Sequence, residues 1–269
     1  MKILFFGGNR YFGKTILNLL SRNKKNLIYL VNRANKKNFL KKNIKLLKKD
    51  LTNFNDLKKK ISGMQFDVVF DNIAYKKKDV NNLFKILKNN YKKYIFSSTV
   101  LAGNINSVSV KRNYSSDEIK YGKNKKKIED FLKKTKKKYL ILRIHSVLGK
   151  KDFSKKTFDL LNSKDEDLKK FKIKKKEKIQ FVYENDLSKI IAYLIENYRK
   201  FTFKRINIAN DYTTIEKILE NSIQVKKNNV ILRKRYPFPV NLIINNNKIK
   251  KIMPEKLKNI YKILSEINT

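Results

Sequence analysis

The stretch Ile3-Leu4-Phe5-Phe6-Gly7-Gly8-Asn9-Arg10-Tyr11-Phe12-Gly13 decides the fold. Its first four residues form a continuous apolar run, the pattern of a parallel strand buried on both faces. A turn rich in small residues follows at once. From Phe12 to Leu20 the apolar residues Phe12, Ile16, Leu17, Leu19 and Leu20 fall at helical spacing, until Asn23-Lys24-Lys25-Asn26 breaks the pattern. Strand, glycine-rich turn and helix in that order are the context a dinucleotide-binding turn requires. Small residues let the backbone approach a pyrophosphate, and the helix N-terminus offers free N–H groups and a positive dipole end. Arg10 stands where the middle glycine of a Gly-x-x-Gly-x-x-Gly loop belongs, and a ligand-free glycine turn is the structural alternative.

Outward from this turn, strands and helices alternate. Strands are expected at 27–31, 44–47, 66–70, 94–97 and 139–142, with helices at 54–61, 80–87 and 116–134 between them. Six strands alternating with helices predict an α/β fold, a Rossmann-like doubly wound parallel sheet over residues 1–151. Residues 152–269 are expected to form a small C-terminal substrate lobe interleaved with the sheet. The lobe opens with a charge-dense, partly mobile insertion at 152–178, followed by a strand at 179–183 and a helix at 187–195. The pattern from 221 to 269 is ambiguous.

Composition limits the function classes. The 269 residues carry 66 Lys and Arg against 23 Asp and Glu, a net charge of +43. Such a surface binds polyanions such as RNA non-specifically. Nine of the 66 basic residues are Arg, however, and the many Lys travel with abundant Asn and Ile, residues that share AT-rich codons. Genome composition alone is enough to produce that pattern, and the basic residues are scattered along the chain, with a selected polyanion surface as the alternative. Without cysteine and with a single His, thiolate or His-based metal sites and Cys nucleophiles are excluded. No apolar run approaches the ~18 residues of a membrane span or reads as a signal peptide, so a cytoplasmic protein that does not enter the membrane is expected.

An NAD-type site places an acid roughly 20 residues past the last glycine, on the ribose hydroxyls. Asn32-Arg33 stands there with no acid nearby, and Arg33, with Arg10 as a second cation, suits a 2′-phosphate. NADP(H) is therefore favoured over NAD(H), although a chain this basic also puts arginines at strand ends by chance. Of the 14 tyrosines, only Tyr121 has a Lys four residues later, Lys125. Both fall in the helix between the fifth and sixth strands, behind a Ser115/Glu118 capping box, and residues four apart share a helical face. There the Lys125 charge would stabilise a phenolate, suiting Tyr121 to proton exchange with a substrate oxygen while a nicotinamide exchanges hydride. Ser97-Ser98-Thr99, at the end of the fifth strand, offers a hydroxyl to orient that oxygen. A surface Tyr on a Lys-rich helix is the plainer reading of the same residues.

Together these motifs resemble the extended, epimerase/dehydratase-like short-chain dehydrogenase/reductases from Met1 to about Asp211. The resemblance rests on the Gly7–Gly13 loop, Lys49-Asp50-Leu51-Thr52, the segment from Asp67 to Ala74, and Phe96-Ser97-Ser98-Thr99. It continues through Tyr121-Gly122-Lys123-Asn124-Lys125 with Glu129, Leu142-Arg143 through Gly149, and Phe181 through Leu187. It implies that Tyr121 is the proton donor or acceptor, that Lys125 binds the nicotinamide ribose, and that Ser98 orients the substrate, with Thr99 as the fallback. The loop residues Gly7, Gly8, Asn9, Arg10, Tyr11, Phe12 and Gly13 would hold the cofactor. So would Asn32 and Arg33, with Asp50 and Leu51 near the adenine and Ala74 near the cofactor backbone. His145 and Ser146 would approach the nicotinamide or the substrate, although an ordinary strand-end His fits equally.

Ile144 replaces the proline usual after the strand-end arginine. The arginine-bearing loop and Asn72-Ile73-Ala74-Tyr75 look closest to the subgroup of chloroplast stem-loop-binding proteins, RNA-associated relatives whose catalytic residues have often decayed. Here the Ser, Tyr and Lys are all present. Family members often dimerise through the helix that carries the Tyr, so the resemblance implies a homodimer, with Lys123, Lys126 and Lys127 standing against that particular interface. The function expected is an NAD(P)-dependent epimerase, dehydratase or reductase acting on a nucleotide-sugar-like anionic metabolite. The alternatives are an RNA-binding protein on the same scaffold and an NADP(H) sensor without turnover.

Overall fold

A computed structural model describes residues 1–9, 11–32, 41–48, 54–150, 152, 156–161, 165–220 and 238–268. The strands are β1 (Lys2–Phe6), β2 (Leu27–Asn32), β3 (Ile44–Lys48), β4 (Phe66–Asp71), β5 (Tyr91–Thr99), β6 (Tyr139–Ile144), β7 (Val147–Leu148), β8 (Lys178–Ile179), β9 (Val182–Tyr183), β10 (Arg205–Ile208) and β11 (Thr213–Thr214). Seven of them form one sheet in the order β10-β6-β5-β4-β1-β2-β3. The pairs β1/β2, β1/β4, β2/β3 and β4/β5 are all parallel. The doubly wound sheet expected from the alternating pattern is thus present. A seventh strand, β10, extends it.

The strand order reverses between β1 and β4. The chain winds from β1 out to β2 and β3, then returns to β4 and winds the other way. In open sheets of this kind ligands bind at that reversal, beyond the carboxyl ends of the strands. The register fixes what lies there: Phe6 pairs with Val31 on one side and with Asp71 on the other, so the Gly7 turn and the segment after Asp71 emerge side by side.

The helices are α1 (Tyr11–Arg22), α2 (Phe54–Ile61), α3 (Lys77–Leu87), α4 (Leu101–Asn104), α5 (Val108–Asn113), α6 (Ser116–Lys134), α7 (Lys156–Leu161), α8 (Asp165–Lys170), α9 (Glu184–Glu196), α10 (Ile215–Glu220), α11 (Asn247–Ile252) and α12 (Ile260–Asn268). None in the described residues is long and apolar enough to cross a membrane. In α1 the buried stripe is Gly13, Ile16, Leu17, Leu20 and Ser21, the spacing of a helix with one face against a sheet. The buried Asn26 side chain then donates to the Leu20 carbonyl at 2.9 Å, supplying a partner that the helix end lacks.

Two compact units divide the chain, and they are not consecutive segments split near residue 151. The first comprises Met1–Ser98, Asn124–Arg143 and Ser188–Ile206, the second Thr99–Lys123, Ile144–Leu187 and Asn207–Thr269. The core of the first packs Leu4, Phe6 and Val69 of the sheet against Val80, Leu83 and Leu87 of α3 and Ile128 and Leu132 of α6. That of the second gathers Leu160, Leu161, Leu168, Ile173, Phe181, Phe238, Ile263 and Leu264. The charge-dense stretch at 152–178 therefore supplies core: Leu160, Leu161, Leu168 and Ile173 are buried, and the lysines around them mask the pattern. Residues 238–268 of the ambiguous C-terminal stretch do the same.

Candidate functional site

At the reversal point the backbone is drawn close. Gly7 takes φ +89°, a left-handed conformation that strains any side-chain-bearing residue, and its N–H reaches the Val31 carbonyl at 3.4 Å. A Cβ on Gly13 would lie 2.3 Å from the Gly7 carbonyl oxygen, so only glycine lets α1 start this near the turn. Tyr11, the first residue of α1, also takes a positive φ, +50°, and such strain concentrates at ligand-binding turns. The first turn of α1 contains no acidic residue to offset its positive end. Asn9 Oδ1 in the turn and Asn32 Nδ2 at the end of β2 are buried with no hydrogen-bond partner among the described residues. A cradle that only glycine fills, two orphaned amide atoms and an uncompensated helix N-terminus fit a dinucleotide. Gly7, Gly8, Asn9, Tyr11, Phe12, Gly13 and Asn32 would line it. Arg10, Arg33, Asp50 and Leu51 lie outside the described residues.

The turn after β4 is organised by Asp71. Its Oδ1 accepts from the N–H groups of Ile73 (3.0 Å) and Ala74 (2.8 Å), and its Oδ2 from the buried Tyr94 hydroxyl (2.7 Å). This turns the Ala74 carbonyl toward Lys125. The buried Lys125 ammonium donates to Ala74 O and Ser97 O, both at 2.8 Å, and sits 4.7 Å from the centre of the Phe96 ring. Burial pulls its pKa down to about 8, against the opposing pull of the Asp71 carboxylate. Lys125 is thus fixed where the ends of β4 and β5 meet. Tyr121, four residues earlier in α6, is 36% exposed.

The capping box predicted for α6 is present. Ser115 N–H donates to Glu118 Oε2 at 3.0 Å, and Glu118 N–H donates to Ser115 Oγ at 3.3 Å.

The three strand-end hydroxyls divide by the alternation of the strand. Ser98 Oγ donates to Glu129 Oε1 at 2.7 Å. Glu129 is fully buried in turn and grips the Arg143 guanidinium: Nε donates at 3.0 and 3.2 Å, Nη2 at 2.6 Å. The hydroxyl proton of Ser98 is therefore committed to a buried ion pair. Ser97 Oγ is buried with no partner among the described residues. Thr99, the last residue of β5, is half-buried, and its Oγ1 accepts from Leu101 N–H at a long 3.3 Å.

His145 is placed as a strand-end structural group. Its Nδ1 accepts from Ser146 N–H at 2.8 Å, so Nε2 carries the proton and donates to Leu242 O at 3.0 Å. With both nitrogens spoken for by backbone, it has none to give a substrate. Burial lowers its pKa from 6.5 to about 4. The folded state holds the neutral ring, so the stability this contributes is complete above pH 6.5 and is lost as the pH falls toward 4. The loss amounts to about 3 kcal/mol. Urea unfolding at pH 7 and pH 4.5 is expected to show the wild type losing more stability over that interval than His145→Gln; equal losses would remove His145 from the acid limb. The other residue of this pair, Ser146, shares a 3.1 Å hydrogen bond with the Tyr114 hydroxyl, whose pKa burial raises.

Two groups were missed from sequence as parts of the site: Asp71, which shapes the turn that holds Lys125, and the Glu129–Arg143 pair that engages Ser98. An acid closing the apolar run Val68-Val69-Phe70 was the available signal for the first.

A parallel sheet with a glycine turn at its reversal point and a Tyr/Lys helix defines a dinucleotide-binding α/β protein. The chain belongs to the NAD(P)H-binding family, whose sequence profile matches residues 7–183. No curated protein sequence matches it significantly. Among solved structures it is similar to the enzyme WbmH of Bordetella bronchiseptica in complex with NAD+, at 13% identity and TM-score 0.69 over 98% of this chain and 96% of that one. A UDP-glucose 4-epimerase is 15% identical with TM-score 0.69 over 99% and 96% of the two chains. Vestitone reductase from alfalfa (Medicago sativa) is 15% identical with TM-score 0.67 over 99% and 96%. The fold is that of the extended short-chain dehydrogenase/reductases, the architecture that the motifs resemble.

Proposed function

We propose that the protein is an NADP(H)-dependent oxidoreductase or epimerase that acts at a hydroxyl or carbonyl carbon of a nucleotide-linked sugar in the cytoplasm. The observation that carries this reading is the Lys125 ammonium, fixed at the ends of β4 and β5 near the glycine turn and four residues after Tyr121 in one continuous helix. A bound nicotinamide nucleotide supplies hydride acceptance or return at the substrate carbon. Tyr121 takes the proton of the substrate hydroxyl during oxidation and returns it during reduction. The positive charge of Lys125 favours the phenolate form of Tyr121. Thr99, rather than Ser98, is assigned to orient the substrate oxygen, since the Ser98 proton is held by Glu129. The preference for NADP(H) rests on Arg33 and on the absence of an acid near Asn32.

A nucleotide sugar is supported by the likeness to a UDP-glucose 4-epimerase fold and by the chain's positive charge, which draws anions. The test is incubation of the protein and NADP+ with a panel of UDP- and GDP-sugars, followed by nucleotide fluorescence and sugar NMR. At least one sugar is expected to be oxidised or epimerised. An inert panel, with turnover instead of uncharged alcohols with NADP+ or of uncharged carbonyl compounds with NADPH, would contradict this substrate class.

A further inference from the structure

The first unit contains a second concavity, at the opposite edge of the sheet from the glycine turn. It measures about 860 Å³, within the size range of small-ligand sites. Tyr91, Lys92 and Lys93 open β5, Tyr139 opens β6 and Lys204 directly precedes β10, so the concavity lies where these strands begin. The Gly7 turn follows the end of β1. In a parallel sheet those are opposite edges, and the two places share no residue.

The lining of this concavity is basic. Seven of its fourteen residues are Lys or Arg and none is Asp or Glu. Four of the seven cations are engaged. Lys92 pairs with Asp67 at 2.7 Å, and Lys93 donates to the carbonyls of Tyr198 (2.8 Å) and Phe201. Lys137 donates to Lys88 O at 2.8 Å and to Asn89, and Arg199 to the Tyr198 hydroxyl at 2.9 Å. Lys136 and Lys138 are exposed, and their ammonium groups have no hydrogen-bond or ion-pair partner among the described residues. Lys204 lies 5.9 Å from the centre of the Tyr139 ring. Burial first, and then the nearby charge of Lys138, press the Lys93 pKa down.

We propose that this concavity is a binding site for a compact anion carrying two or more phosphate groups, held by Lys136, Lys138 and Lys204 over a floor that includes Lys93 and Tyr139. An anion with two or more phosphates offers each of the three ammonium groups an acceptor. Charge-assisted hydrogen bonds from ammonium to phosphate oxygen are the strong kind. The aromatic walls Tyr139, Tyr198 and Phe201 are buried, so they shape the site rather than stack on a base.

The test is calorimetric titration of the full chain with tripolyphosphate at physiological salt. The wild type is compared with a triple variant, Lys136→Ala, Lys138→Ala and Lys204→Ala, and with a control of equal charge loss, Lys24→Ala, Lys25→Ala and Lys59→Ala. These three control lysines are exposed and lie elsewhere. One saturable site is expected in the wild type and the control, with affinity about tenfold weaker in the first variant. Equal weakening in both variants, or no saturable site in the wild type, would overturn the proposal by reducing the binding to overall charge. An RNA oligomer that needs the same three lysines while tripolyphosphate does not bind would overturn the small-ligand assignment.

Discussion

A Tyr121→Phe variant is expected to lose turnover by about 10² to 10⁴-fold while binding the nucleotide as the wild type does, because it removes only the proton that Tyr121 moves in the transition state. The ring is 36% exposed, so its hydroxyl can be deleted with little cost to packing. The pH profile carries the companion signature. Lys125, with its pKa brought down to about 8 by burial, is an ammonium below that pH and neutral above it. Turnover that needs the charge beside the phenol should therefore fall as pH rises through about 8. In Lys125→Met that limb should vanish along with most of the rate. Wild-type turnover in Tyr121→Phe on an identified substrate would refute the mechanism, whatever the cofactor.

Loss of Glu129 is expected to be the most damaging structural change. The carboxylate is fully buried and holds two partners, the Arg143 fork and the Ser98 hydroxyl. Glu129→Ala leaves a guanidinium that is only 13% exposed without its counter-charge. Breaking a buried pair from one side costs about 3 to 5 kcal/mol. For a chain of this size that is about a 10 °C fall in thermal midpoint. The double variant Glu129→Leu, Arg143→Met removes both charges and should recover much of the loss, since an apolar replacement of a buried pair is often neutral. A single variant that melts with the wild type would show that the pair carries no such weight.

What was legible in the sequence was local. The glycine turn, the apolar runs of β1, β2 and β4 and the α6 capping box each depend on residues within a few positions, and each stands where the pattern put it. What was not legible depended on distant partners. Nothing in Phe96-Ser97-Ser98-Thr99 reveals that the Ser98 hydroxyl donates to Glu129, thirty-one residues on. His145 is occupied by the Leu242 carbonyl, 97 residues away. The edge strand β10 offers only Ile206 and Ile208 as buried residues between polar neighbours, a two-residue alternation too short to stand out. The core residues of 152–178 were hidden by composition: in a lysine-rich chain a charged stretch looks like a solvated loop even when Leu160, Leu161 and Leu168 are fully packed.

The turn at the sheet's reversal point is proposed to hold NADP(H), and fluorescence titration is the measurement that decides it. NADPH and NADH are added separately to the purified protein at physiological salt, with Arg33→Ala measured alongside. NADPH is expected to bind more tightly than NADH and to weaken about tenfold in the variant, the loss of a charge-assisted contact to the 2′-phosphate. Binding of neither nucleotide would contradict the account at its base, and equal binding of both, unchanged in the variant, would contradict the cofactor choice.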